Sequence, residues 1–152
     1  MAILITETRD IALCRALRRT VFTLEQGVSP ADELDDQDEA AIHLLACDDG
    51  WACGSARLLI LGSTGKIGRV CVLASARGRG IGAALIRAGV ECFRQMPAIT
   101  LVKLGSQTHA IGFYAGLGFR AVGEVYNDAG IPHRDMVLET RPERPAERAP
   151  DV

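Results

Sequence analysis

The sequence predicts an α+β domain in three layers: a mixed, mainly antiparallel sheet of about seven strands with helices on both faces. Three observations carry this prediction. Apolar runs rich in β-formers recur with turn residues between them, as in AIHLLAC and WACGSARLLIL around Asp48-Asp49-Gly50. Apolar residues at helical spacing fill the stretches that follow Thr8 and Gly80. The resulting order, β-α-β-β-β-α-β-α-β-β, interleaves hairpins with helices, as a mixed sheet requires.

Taken in order, AILITET (2–8) alternates as a strand, and Thr8 can cap the helix after it. In that helix Ile11, Cys14, Leu17, Val21 and Phe22 form an apolar stripe that ends near Gly27. A polar loop with six carboxylates between Asp32 and Glu39 follows, and then the hairpin. GSTG (62–65) turns the chain into the strand KIGRVCVL. A long helix runs from Ile81 to about Met96, where Pro97 stops it, and AITLVKL (98–104) reads as a buried strand. A short helix spans about 108–116, ended by Gly116 and Gly118. The strands FRAVGEVY and PHRDMVLE are joined by a turn at Asn127–Gly130. From Arg141 the chain has three prolines, mixed charge and no apolar pattern. The expected organisation is thus one domain over 1–140 with a disordered tail, 141–152.

Length and charge narrow the function. The chain has 152 residues, 48% of them hydrophobic, and a net charge of −2. No excess of Lys and Arg exists to release counterions from a phosphate backbone, so nucleic acid is not an expected partner. Arg15, Arg18 and Arg19 read as a solvated helix face. Five cysteines, an odd number without a Cys-x-x-Cys pair, read as reduced buried thiols and not as disulfides or a metal site. MAILITETRD lacks a basic leader pattern and no apolar run approaches ~18 residues, so a cytoplasmic protein without a membrane segment is expected.

The most informative stretch is VCVLASARGRGIGAAL (70–85). Gly78, Gly80 and Gly82 allow close approach of backbone to a ligand, and the start of the helix at Ile81 offers unpaired N–H groups with partial positive charge. Arg77 and Arg79 add donors, so the loop suits a pyrophosphate. Gly78-x-Gly80-x-x-Ala83 formally fits a dinucleotide fingerprint. That fingerprint also needs a βαβ unit and an acidic residue about 20 positions on. The next strand ends at Val102-Lys103-Leu104-Gly105 with no carboxylate, which disfavours a dinucleotide.

Read as Arg77-x-x-Gly80-x-Gly82, the loop resembles the [RQ]-x-x-G-x-[GA] segment with which GNAT-type N-acetyltransferases hold acetyl-CoA. QTHAIGFYAGLGF (107–119) resembles the N-x-x-A-x-x-F-Y-x-x-x-G-F segment of the same family. Both motifs stand at the family's separation, and the resemblance covers residues 1 to about 139. VFTLEQGVSPADELDDQDEAAIH and GEVYNDAGIPHRDM are similar to the opening and closing segments of its ElaA/YjcF-like branch.

The resemblance implies acetyl-CoA as cosubstrate and transfer of its acetyl group to a primary amine of a small molecule or peptide, by direct attack in a ternary complex. It implies backbone contacts to the cofactor from Val70, Cys71 and Val72, diphosphate contacts from Arg77 through Gly82 with Ile81 included, and a cofactor contact from Gln107. It makes Tyr114 the general acid, a phenol that is protonated at neutral pH. Phe113 is expected only to pack its helix. Many relatives carry a glutamate base where this chain has Gly68, which leaves Glu25, His43 and His133 as candidates for the base or the acceptor site. The departures at Gly68 and Gln107 keep a non-catalytic acetyl-CoA-binding module as the alternative. The acidic loop reads as solvated surface, or else as an acceptor wall favouring cationic amines; it is no EF-hand. The family resemblance leaves homodimerisation through the C-terminal strands open.

Overall fold

The structure is a computed structural model, described here for residues 2–141; the expected tail beyond Arg141 lies outside the described residues. Seven strands, β1 (Ile3–Thr8), β2 (Ile42–Asp48), β3 (Trp51–Leu61), β4 (Thr64–Val72), β5 (Leu101–Gln107), β6 (Arg120–Asp128) and β7 (Ile131–Glu139), form one sheet. Their spatial order is β1-β2-β3-β4-β5-β7-β6. Every pairing is antiparallel except β4 with β5. That parallel pairing lasts only from Thr64–Lys66 against Leu101–Lys103. Beyond it the two strands part, and one edge of β4 from Ile67 to Val72 stands open in the middle of the sheet.

Helices cover both faces. On one, α3 (Ile81–Arg94) buries Ile81, Leu85, Ile86 and Phe93 against Leu58, Ile67 and Val102. Gly65 and Gly89 make this approach close: a β carbon at Gly65 would lie 2.5 Å from the Phe93 ring, and one at Gly89 2.9 Å from Ile67. On the other face, α1 (Ile11–Arg18) and its continuation bury Leu17 and Val21 against Leu45 and Cys71. The short helices α2 (Pro30–Glu33) and α4 (Ile111–Gly116) complete the fold.

Several local expectations are corrected. Asp10, not Thr8, caps α1 by accepting from the Leu13 N–H, while Thr8 Oγ1 accepts from the Asp10 N–H. The first helix loosens into a π-helix over Arg19–Glu25, a wide turn that occurs mostly at functional sites. β5 begins at Leu101 instead of 98, because Ile99 turns back to bond Met96 O and fills the core.

The largest correction concerns charge. Arg18 is 1% exposed, Glu33 5% and Asp38 1%, so neither the Arg15–Arg19 face nor the acidic loop is simply solvated. Arg18 holds Asp38 Oδ2 at 2.7 Å and Glu33 Oε1 at 2.5 Å; Arg57 holds Asp35 and Asp38, and Arg15 closes on Asp38 at 2.9 Å. Burial alone would penalise the Asp38 carboxylate, but the hydrogen bonds from Arg18, Arg15 and Arg57 prevail and hold its carboxyl well below the usual range. All five cysteines are free thiols. Among the described residues no helix is long and apolar enough to cross a membrane, and no cluster of His, Cys, Asp and Glu is arranged for a metal ion.

Candidate functional site

The open edge of β4 and the loop after it form one wall of the site. Opposite β3, Gly68 pairs with Arg57 and Cys71 with Ser55, so Arg69 and Val70 bulge against the single residue Ala56. Arg69 sits there at φ +51°, in the left-handed region. Beyond the bulge the Leu73 N–H donates to Cys53 O on β3 at 2.8 Å. Alternation along the strand then turns the Val72 N–H and C=O to the open side, where Arg77 Nε donates to Val72 O at 3.0 Å. The Cys71 side chain points the other way, under α1, and burial pushes its thiol up, so it stays neutral.

The glycine loop presents backbone donors. Gly78 and Gly80 adopt φ of +80° and +77°, and Gly80 is the N-cap of α3 with no side chain capping the helix. The first-turn N–H groups of Ile81, Gly82 and Ala83 therefore face a groove of about 420 Å³ that also touches Val70, Val72 and Arg77. Both loop arginines hold carboxylates: Arg77 grips both oxygens of Glu25, and Arg79 Nη1 donates to Asp48 at 2.8 Å. Phe113, expected only to pack, is half exposed and lines this groove. The arrangement fits a pantetheine arm along β4 and a diphosphate at the start of α3.

A second cleft, of about 300 Å³, adjoins the first at Val70 and Gln26. Tyr114, Gln107 and His133 line it together, although β5, α4 and β7 supply one each. Burial pushes the Tyr114 phenol up, so it remains protonated at neutral pH. His133 stands opposite Gln107 in the β5–β7 register and stacks on Tyr126 with centroids 6.0 Å apart. Its Nδ1 lies 2.7 Å from Ile131 O. A carbonyl only accepts, so Nδ1 carries the hydrogen of this contact and Nε2 is the ring nitrogen left for another partner.

The other candidates lie elsewhere. Glu25 faces Arg77 on the cofactor side, and that guanidinium's hydrogen bond lowers its carboxyl's proton affinity. His43 is 3% exposed inside the sheet, with Nε2 2.9 Å from Asp38 O, away from the cleft. Sequence reasoning missed Gln26, Lys66, Arg69 and Tyr126, all of which line the second cleft. The π-helix brings Gln26 there and the bulge brings Arg69; neither irregularity has a sequence pattern of its own.

Comparison with known proteins agrees with this geometry. Residues 20–140 match the Acetyltransferase (GNAT) domain family. YjcF of Bacillus subtilis, named an uncharacterized N-acetyltransferase, is 33% identical over 124 residues, 81% of this chain and 88% of YjcF. ElaA of Escherichia coli is 35% identical over 129 residues, 81% of this chain and 83% of ElaA. The ElaA crystal structure superposes with a TM-score of 0.79, covering 90% of this chain and 99% of that one. An acyl-CoA N-acyltransferase of Pseudomonas aeruginosa gives the same TM-score at 32% identity, covering 90% and 97%.

The fold and site define an acyltransferase, and the chain belongs to the GNAT acetyltransferase family. Its similarity to YjcF and ElaA places it in their branch, and acetyl-CoA is its cosubstrate.

Proposed function

We propose that the protein is an N-acetyltransferase that moves the acetyl group of acetyl-CoA to a primary amine by direct attack in a ternary complex. One observation carries the reading: the β4 edge and α3 start, on the cofactor side, meet a cleft where Tyr114 and His133 line the same space.

The roles follow from chemistry and position. Backbone N–H groups of Ile81, Gly82 and Ala83 bind the diphosphate, and the open edge of β4 aligns the pantetheine. The Val72 N–H donates to the thioester carbonyl, stabilising negative charge as the amine attacks. His133 Nε2 takes the amine's proton. The Tyr114 hydroxyl gives its proton to the departing thiolate, which leaves as CoA thiol. Glu25 serves the cofactor side, holding Arg77 over the groove. With five unpaired thiols, the chain suits a reducing compartment such as the cytoplasm.

The test is CoA thiol release from acetyl-CoA over a panel of amines, amino acids and short peptides, run with wild type and Tyr114→Phe. An acceptor whose rate depends on Tyr114 is expected. Demonstrable CoA binding with no transfer to any acceptor would overturn the reading.

A further inference from the structure

The acidic loop changes its meaning once its partners are counted. Ion pairs link Arg15, Arg18, Arg57 and Arg69 to Glu33, Asp35 and Asp38, so four guanidiniums meet three carboxylates. The surplus charge falls at Arg69. Arg15, Arg18 and Arg57 each hold a carboxylate oxygen at 2.9 Å or closer, whereas Arg69 reaches Asp35 at 3.4 Å and Glu33 at 3.8 Å. Its Nε and Nη2 donate at 3.3 Å and 3.0 Å to the uncharged Glu33 carbonyl, Nη2 reaches Asp35 Oδ2 only at 3.4 Å, and Nη1 makes no hydrogen bond among the described residues. Burial first, and then the charge of Arg57, pull this guanidinium below its ordinary value. A nearby anion would relieve both.

The cleft has room for that anion. Lys66, Gly68 and Arg69 line the same wall. A β carbon at Gly68 would meet nothing within 4 Å. Lys66 is exposed, and among the described residues it acts on Asp135 only at longer range than the Lys103 ion pair at 3.1 Å. The cleft's other carboxylates, Asp32 and Asp128, are exposed and give an ammonium its counter-charge. Phe22, Val28 and Ile131 supply apolar lining between these groups.

From this arrangement we propose that the acetyl acceptor carries a carboxylate beside its amine, docked over Gly68 between Arg69 and Lys66. The acceptor class is amino acids, those with apolar side chains fitting the lining best. This rests on the acetyl-transfer reading and specifies its substrate. Asp32 of the acidic loop then faces the acceptor's ammonium, while Glu33, Asp35 and Asp38 of the same loop are held by arginines.

The test separates docking from transfer. Calorimetry on the full chain saturated with CoA compares N-acetylglycine, N-acetylleucine and N-acetylphenylalanine, each with its primary amide. At least one carboxylate should bind about tenfold or more tightly than its amide. Arg69→Gln should erase the difference. Because Arg69 also holds the Glu33 carbonyl, Gly68→Glu is the second variant: its own carboxylate would occupy the open floor and exclude the ligand's. Equal binding of acids and amides, or binding of neither, overturns the inference. In parallel, thiol release is measured with the free amino acids and their amides. Amides used as well as acids overturn the inference while leaving acetyl transfer standing. Carboxylate binding that responds to both variants, without thiol release from any acceptor, sinks acetyl transfer and upholds the docking site.

Discussion

His133 Nδ1 lies 2.7 Å from the carbonyl oxygen of Ile131, two residues back on the same strand. This contact makes Nδ1 the donor and leaves Nε2 as the ring nitrogen not engaged with that carbonyl. His133→Gln should lower kcat/KM at neutral pH by about 100-fold, with the dissociation constant of acetyl-CoA nearly constant. An unchanged kcat/KM would remove the histidine from the mechanism.

Tyr114 sits where burial keeps its phenol protonated. Tyr114→Phe preserves the ring contacts with Phe113 and Phe119, at 5.0 Å and 6.4 Å, and removes only the hydroxyl. Turnover should drop by about 100-fold or more, with the dissociation constant of acetyl-CoA nearly constant. Equal loss in binding and turnover would make the hydroxyl a cofactor ligand.

The start of α3 offers a direct check on the anion site. Gly82 has an ordinary helical conformation, and a β carbon there would meet Val72 at 3.9 Å, a normal contact. Gly82→Glu should therefore fold, yet place a carboxylate at the uncapped N-terminus. CoA affinity should weaken about tenfold or more, read by calorimetry. Undiminished affinity would move the diphosphate elsewhere.

Asp38 anchors the buried charges. Asp38→Asn leaves Arg18 with one carboxylate, from Glu33, and should destabilise the fold by about 3–5 kcal/mol in urea titration. The pH dependence has a definite sign. The folded carboxyl is depressed below its ordinary value of 3.8, so its contribution is complete above that pH and is lost as pH falls through lower values. The wild type should therefore lose stability below about pH 4 more steeply than Asp38→Asn. Parallel curves would show the pairing to be energetically silent.

Much of the fold was legible because it depends on local pattern. Alternation in β1, the Asp49-Gly50 turn and the stripe of α3 each bury one face of a short segment, and that face is written in consecutive residues. The glycine loop was legible for the same reason, since Gly78 and Gly80 do adopt the left-handed conformation that only glycine takes freely. Boundaries were less legible. The π-helix at Arg19–Glu25 and the late start of β5 are choices between hydrogen-bond registers, decided by what each segment packs against.

The sequence by itself determined the sheet's strands, the two covering helices and the glycine loop before α3, because each follows from period, turn chemistry or backbone freedom within a few residues. Only the tertiary structure decided the charges and the cleft. Arg18, Glu33 and Asp38 looked solvated in a linear reading, yet they meet Arg57, 19 positions beyond Asp38, and are neutralised in the interior. His133 and Tyr114 likewise share a cleft only because β4 and β5 part after Lys66 and Lys103. Coulombic pairing and strand divergence act through space, so no local pattern announces them.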